Sequence, residues 1–333
     1  MTSTSTSASA GGGSASPVPP GRPRQSMIEI DQLHKFYGPF EALKGISFTV
    51  RSGEVVGFLG PNGAGKSTTM KIMTGLMPPT RGSVSIAGHD VLDEPLEVRR
   101  AIGYLPEIPP LYPEMTVRDY LSFAAELRGV PRARRRRAVD LALERCGLTH
   151  MAQRLVGNLS KGYRQRTGLA QAVIHEPRVL ILDEPTVGLD PTQVIEIRGI
   201  VRELGEERTV ILSSHVLPEV QATCHRVVII NRGLVVADGP MDELLSRESH
   251  GGVVASLRRP PEELDPLRQL TAVRQVQRLG EQEFRFFLEP GDDVRERFVA
   301  GLANSGYGLI EVRAETATLE EVFRDVVLEE VPA

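Results

Sequence analysis

Only two cysteines occur among 333 residues, Cys146 and Cys224, far apart and in no metal-binding or redox spacing. That excludes a disulfide framework or a cysteine-built metal centre and leaves two small side chains suited to burial in a reducing compartment. Long apolar runs are also missing: no stretch approaches the roughly 20 residues needed to span a bilayer, so work at a membrane would need another chain. Surplus basic charge is absent too. The formal net charge is −4, whereas a dedicated nucleic-acid binder is usually basic, so no nucleic-acid partner is expected. The opening "MTSTSTSASAGGGSASPVPPGRPRQS" lacks the basic start and apolar stretch of a signal peptide, and Arg22 and Arg24 are not a twin-arginine pair. Made of Ser, Thr, Gly and Pro with almost nothing to bury, residues 1–26 are expected to form a disordered tail.

What remains is ordinary globular material, 41% hydrophobic and 25% charged, with room for one large domain and a smaller one. Order is expected to begin at "MIEIDQLHKFY", followed by strand-like "GISFTV" and "EVVGFLG". "KSTTMKIMTG" has helical spacing and stops at Gly75, and the pattern is helical again from Thr116 to about Gly147. From "RVLILDEP" onward, apolar strands alternate with helices, which indicates a parallel sheet covered on both faces. Past about Ser249 the order becomes strand 252–258, helix 262–270, strands 273–279 and 283–288, helix 293–304 and strand 307–313. A last helix, "LEEVFRDVVLEEV", follows. This β-α-β-β-α-β order is the split βαβ, ferredoxin-like arrangement.

"GFLGPNGAGKSTTMKIMTG" carries Gly60, Gly65, Lys66 and Ser67 in the pattern G-x-x-x-x-G-K-S/T, between a strand and a helix, which is the context of a P-loop. Its glycines let backbone N–H groups and the helix start face phosphates. Lys66 brings positive charge to the β- and γ-phosphates, and the Ser67 hydroxyl is placed to ligate Mg²⁺. In "RVLILDEP" a buried strand ends in Asp183 and Glu184. The first carboxylate reaches the metal and the second can polarise a water for attack on the γ-phosphate.

With these pieces in order, the chain resembles the ATP-binding cassette (ABC) family over roughly residues 28–245. "HKFYGPFEAL" resembles the segment whose aromatic, here Tyr37, stacks on adenine. "LSKGYRQR" resembles the family signature, "PTVGLD" the D-loop, and "ILSSH" the strand ending in the switch histidine, His215. The resemblance implies an α/β fold, a P-loop NTPase cassette at 27–248 with a mixed sheet and a helical subdomain at about 108–175; the element order beyond it adds a small ferredoxin-like α+β domain at 249–333. It implies ATP and Mg²⁺ as cofactors. Glu184, His215 and Lys66 would be catalytic. Tyr37, the loop residues Gly60, Pro61, Asn62, Gly63, Ala64, Gly65, Lys66, Ser67 and Thr68, and Ser160 and Gly162 would bind nucleotide. Ser67, Glu107 and Asp183 would lie at the metal.

In this family two cassettes face each other head to tail, so Ser160 and the amides near Gly162 would meet the γ-phosphate held by a partner subunit. The implied function is the ATP-hydrolysing subunit of an exporter. It would work as a homodimer beside a separate transmembrane permease, cytoplasmic and peripheral on the inner face of the membrane. The competing class is an ABC ATPase acting on ribosomes or DNA. Those proteins usually carry two cassettes, a coiled-coil arm or zinc-binding insertions, none of which this pattern contains. A scaffold without turnover would be expected to lose Glu184 or His215.

Two departures stand out. Lys161, Gly162 and Tyr163 replace the usual Gly-Gly-Gln, a version similar to that of ABC-2 exporter and gliding-motility cassettes. Glu107 in "IGYLPE" stands where the family generally has glutamine. Its oxygen can serve Mg²⁺ as glutamine's does, with added charge. "RARRRRAVD" reads either as a solvated helix face or as a contact for anionic lipid or nucleic acid. "LYPEMT" reads as loop packing or as a docking site for the permease. His89, His150, His175, His225 and His250 have no metal spacing.

Overall fold

The computed structural model describes residues 25–248, 252–289, 293–314 and 319–328. Most of the expected tail, residues 1–24, lies outside the described residues.

The chain opens with β1 (Ser26–Tyr37) and β2 (Phe40–Arg51), joined by a turn so tight that only antiparallel pairing is possible. Next come β3 (Val55–Leu59), α1 (Lys66–Met73), β4 (Arg81–Ile86), β5 (His89–Asp90), α2 (Pro95–Ala101) and β6 (Ile102–Leu105). Helices α3 (Val117–Leu127), α4 (Arg132–Arg145) and α5 (Lys161–Val173) form a helical layer. Thr116 starts α3, its side chain accepting from the Asp119 N–H, and Asp119 adds negative charge to the first turn. Then follow β7 (Val179–Asp183), α6 (Pro191–Glu207), β8 (Thr209–Ser214), α7 (Leu217–Thr223), β9 (Arg226–Asn231), β10 (Leu234–Pro240) and α8 (Met241–Glu248).

The strands sort into two sheets. The central one has the order β10-β9-β3-β8-β7-β6, parallel from β9 to β6, with β10 added antiparallel at one edge. Every residue of β3, β7 and β8 is buried, as the apolar runs require of strands covered on both faces. Side chains alternate between those faces. Val56, Phe58, Ile181 and Ile211 pack toward the second sheet, while Val55, Leu59, Leu182 and Leu212 pack toward the helical layer. The second sheet, β2-β1-β4-β5, is antiparallel throughout. The early strands thus stand apart from the parallel sheet.

The remaining strands are β11 (Val253–Leu257), β12 (Val273–Arg278), β13 (Glu283–Leu288) and β14 (Leu309–Ala314), with α9 (Asp265–Arg268) and α10 (Val294–Asn304) between them. Their antiparallel sheet runs β12-β13-β11-β14, the strand order of a split βαβ unit, around its own core of Phe284, Phe286, Phe298 and Leu302. Helix 262–270 of the sequence reading shrinks to α9. Pro260 and Pro261 hold the approach extended, and Pro266 is tolerated only in a first turn.

The last helix, α11 (Leu319–Leu328), does not join that core. Leu319 and Val322 are fully buried in the cluster beneath the helical layer, with α11 packed on α7, α8 and β10. Arg285 on β13 pairs with Glu321 at 3.5 Å, so α11 stands between the small sheet and the larger unit.

Candidate active site

Strands β3, β8, β7 and β6 are parallel neighbours, so their C-terminal ends open on one edge, where ligands of such sheets bind. Each end supplies a functional segment. Residues 60–65 follow β3, Glu184 follows β7, His215 follows β8, and Glu107 lies in the loop after β6.

The P-loop turns directly into α1. Gly65 stands at the helix start with φ +113°, and a Cβ there would lie 2.6 Å from Leu43 Cδ2, so only glycine fits. The first amides of α1, those of Lys66, Ser67 and Thr68, have no i−4 carbonyl in the helix and form a ready anion site. Lys66 is buried, and its Nζ donates to the carbonyls of Gly60 (2.6 Å) and Pro61 (3.2 Å). Burial lowers the Lys66 pKa, and the nearby carboxylates of Glu184 and Asp183 partly oppose that. Ser67 is exposed at the helix start.

Opposite the loop, Asp183 is buried and its Oδ1 accepts from Ser213 Oγ at 2.6 Å. Glu184 has φ +49°, a left-handed backbone that is uncommon outside glycine and recurs at functional sites. Its N–H donates to Ser213 Oγ at 2.9 Å, and its Oε2 lies 2.9 Å from Nδ1 of His215. The Glu184 side chain is 12% exposed and that of His215 48%. Tyr104 on β6 also senses the site: burial and then Asp183 push its hydroxyl up to about 12. The structure therefore brings Lys66, Asp183, Glu184 and His215 together. Ser213 and Tyr104 went unread in the sequence, where neither has a diagnostic spacing.

Tyr37 ends β1 half-exposed, its hydroxyl donating to Met77 Sδ at 3.2 Å. Ser160 caps α5, accepting from the Tyr163 N–H at 3.5 Å. Gly162 lies against α6, where a Cβ would come within 2.5 Å of the Gln193 side chain. Among the described residues no hydrogen bond joins Ser160 or Gly162 to the P-loop, so within one chain the signature stays apart from it.

Glu107 is exposed, and no hydrogen bond or ion pair among the described residues ties it to Asp183 or Ser67. It lines a cleft of about 390 Å³ with Ile108, Pro109, Leu111, Lys161 and Gln165. Ile108, Tyr112 and Leu155 are large apolar side chains left exposed in this region. On α4, Arg132, Arg134, Arg136 and Arg137 are exposed, while Arg135 pairs with Glu126.

No group of three or more His, Cys, Asp or Glu able to hold a metal occurs among the described residues. A hydroxyl (Ser67) and a carboxylate (Asp183) are hard oxygen donors, and they suit a Mg²⁺ that keeps waters and phosphate oxygens as its other ligands. No described helix is long and apolar enough to cross a membrane.

The ABC transporter family profile matches residues 43–187. The ABC transporter ATP-binding protein YxlF of Bacillus subtilis is 41% identical over 222 residues, covering 67% of this chain and 74% of that one. The Nod factor export ATP-binding protein I of Burkholderia thailandensis is 33% identical over 305 residues, covering 89% and 95%. A solved dimeric ATP-binding cassette, in a post-hydrolysis state with ADP and Pi, superposes with a TM-score of 0.60 at 26% identity, covering 65% of this chain and 99% of that one. A P-loop facing a carboxylate pair and a histidine, in a fold shared with these proteins, leads to one family. The chain belongs to the ABC transporter family, as an ATP-hydrolysing, ATP-binding subunit.

Proposed function

We propose that two copies of this chain close head to tail around two ATP molecules and drive a separate membrane permease that exports its cargo. The observation that carries the reading is Glu184, held by His215 at 2.9 Å on the same sheet edge as the P-loop. Residues 62–68 wrap the phosphates through backbone N–H groups, and Lys66 turns from the Gly60 and Pro61 carbonyls to the β- and γ-phosphates. Tyr37, half-exposed at the end of β1 with Lys35 Nζ 5.7 Å from its ring centroid, offers its aromatic ring to adenine. Ser67 and Asp183 would hold Mg²⁺, which would supply neutralisation of the phosphate charge. Glu184 accepts the proton of the attacking water, and the His215 Nδ1–H directs its carboxylate. The separation of Ser160 and Gly162 from their own P-loop supports their serving the partner's site. The α5 N-terminus then lends its positive end to the γ-phosphate there.

The cleft that Glu107 lines with Ile108 and Leu111 suits the permease's cytoplasmic segment, and Glu107 belongs to the loop that leaves β6 on the same sheet edge as the P-loop. This placement favours a coupling role for Glu107 alongside the metal-side role expected of it. Attachment to the membrane comes through that permease. Export is supported by the relative named for Nod factor export, whose match extends beyond the cassette.

Glu184→Gln tests the mechanism. It is expected to leave ATP binding intact and slow hydrolysis by roughly 10²–10⁴, the worth of a general base. With ATP and Mg²⁺ the variant should elute as a dimer in size-exclusion chromatography. A monomer at saturating nucleotide would refute the paired-site mechanism.

A further inference from the structure

Ser213 lies two residues before His215, fully buried, on the strand between β3 and β7. A hydroxyl carries one proton and two lone pairs. Because the Glu184 N–H can only donate, Ser213 Oγ accepts from it at 2.9 Å and spends its own proton on Asp183 Oδ1 at 2.6 Å. One oxygen thus ties together two consecutive residues that have different work, Asp183 at the end of β7 and Glu184 just after it. On Asp183 it occupies one carboxylate oxygen and sets the direction of the other. On Glu184 it anchors the main chain at the point where φ is +49°, a conformation that needs outside support in a non-glycine residue. His215 then takes the same glutamate by its carboxylate. Glu184 is therefore gripped at both ends from one short stretch of chain, main chain by Ser213 on β8 and side chain by His215 just after it.

We propose that Ser213 is a positioning residue for ATP hydrolysis. It fixes the metal-side carboxylate and the base relative to each other, and the end of β8 carries both grips, Ser213 within the strand and His215 directly after it. Ser214, the neighbouring serine, does different work: its Oγ accepts from the Val216 N–H at 3.0 Å and shapes the turn into α7. The inference rests on the roles proposed above for Asp183 and Glu184.

The test compares full-length Ser213→Ala, Ser213→Thr and Asp183→Asn with the parent protein. ATP affinity is measured by calorimetry in EDTA and in Mg²⁺, alongside steady-state phosphate release across a Mg²⁺ titration and a thermal melt. For Ser213→Ala, affinity in EDTA should stay within about twofold, because the P-loop is untouched. The extra affinity conferred by Mg²⁺ and the turnover rate should each fall by about 10–100-fold, the usual cost of losing a group that orients a metal ligand. Ser213→Thr keeps the hydroxyl and should recover most of both. The idea is overturned if Ser213→Ala keeps parental Mg²⁺ dependence and turnover, or if its EDTA affinity and melting temperature fall in step with turnover. It is also overturned if a Thr variant that melts like the parent behaves as the Ala variant does. Should the Thr variant not fold, the EDTA-against-Mg²⁺ comparison on Ser213→Ala decides alone. An Asp183→Asn protein with unchanged Mg²⁺ dependence would remove the site reading itself. If Asp183→Asn loses that dependence while Ser213→Ala keeps it, only the serine inference falls.

Discussion

His215→Ala removes the donor that faces Glu184 Oε2 at 2.9 Å and leaves the rest of the edge in place. The glutamate side chain is only 12% exposed, so water replaces the lost partner poorly and the carboxylate is free to swing. A hydrogen bond to a charged group is worth about 1.5–3 kcal/mol. If that orientation matters only as the proton leaves the attacking water, turnover falls by roughly ten- to 150-fold. ATP affinity should hardly change, since the phosphates are gripped by residues 60–68. Folding should hardly change either, because the ring is 48% exposed. His215→Asn places an amide donor near the position of Nδ1 and should recover part of the rate. The assay is steady-state phosphate release at saturating ATP and Mg²⁺, with affinity from calorimetry. Turnover within about twofold of the parent would refute the reasoning, as would a parallel fall in affinity.

Three further outcomes follow from named contacts. Lys66→Ala should weaken ATP binding roughly ten- to a hundredfold by calorimetry, the loss of one charged hydrogen-bonding partner. Glu107→Gln should keep ATPase activity within about tenfold with a raised Mg²⁺ requirement, and Glu107→Ala should fall further, if the side chain serves the metal. If it serves only the docking cleft, neither variant changes across a Mg²⁺ titration of the isolated protein. His175 is pushed down to about 4 by burial, reinforced by Arg128, although its Nε2 contact with the Ile102 carbonyl pulls the other way. Below its ordinary value of 6.5 the unfolded chain takes up the proton first. Stability should therefore be complete above about 6.5 and drain as pH falls toward 4, by at most about 3 kcal/mol. Denaturant melts of His175→Gln should lose that part of the slope.

Much of this edge was legible in the sequence because its chemistry is local. Gly60 to Ser67 and Asp183–Glu184 declare themselves within a few residues, since phosphate wrapping and strand-end carboxylates need particular neighbours. Ser213 was not legible: a serine in an apolar strand has no pattern, and its role exists only once β7 and β8 pair in register, Asp183 beside Ser213. Nor was the division into two sheets, for alternation marks a strand and not its partner. The signature segment gave no hint of the Gly162–Gln193 contact, because α6 reaches it only in the folded chain. "LEEVFRDVVLEEV" announced a helix, but apolar spacing says nothing about which surface the helix covers.

That surface has a consequence for how the protein comes into being. Leu319 and Val322 complete a core whose other members are drawn from Val55 to Leu244. The larger unit thus holds an apolar groove along α7, α8 and β10 that stays open until residues 319–327 have been synthesised and delivered. During that interval the nascent chain has exposed hydrophobic surface and is at risk of aggregation. A shortened gene ending near Glu248 would make the interval permanent. Expression of a truncated nucleotide-binding unit should therefore yield insoluble protein, and co-expression of the missing segment should restore solubility.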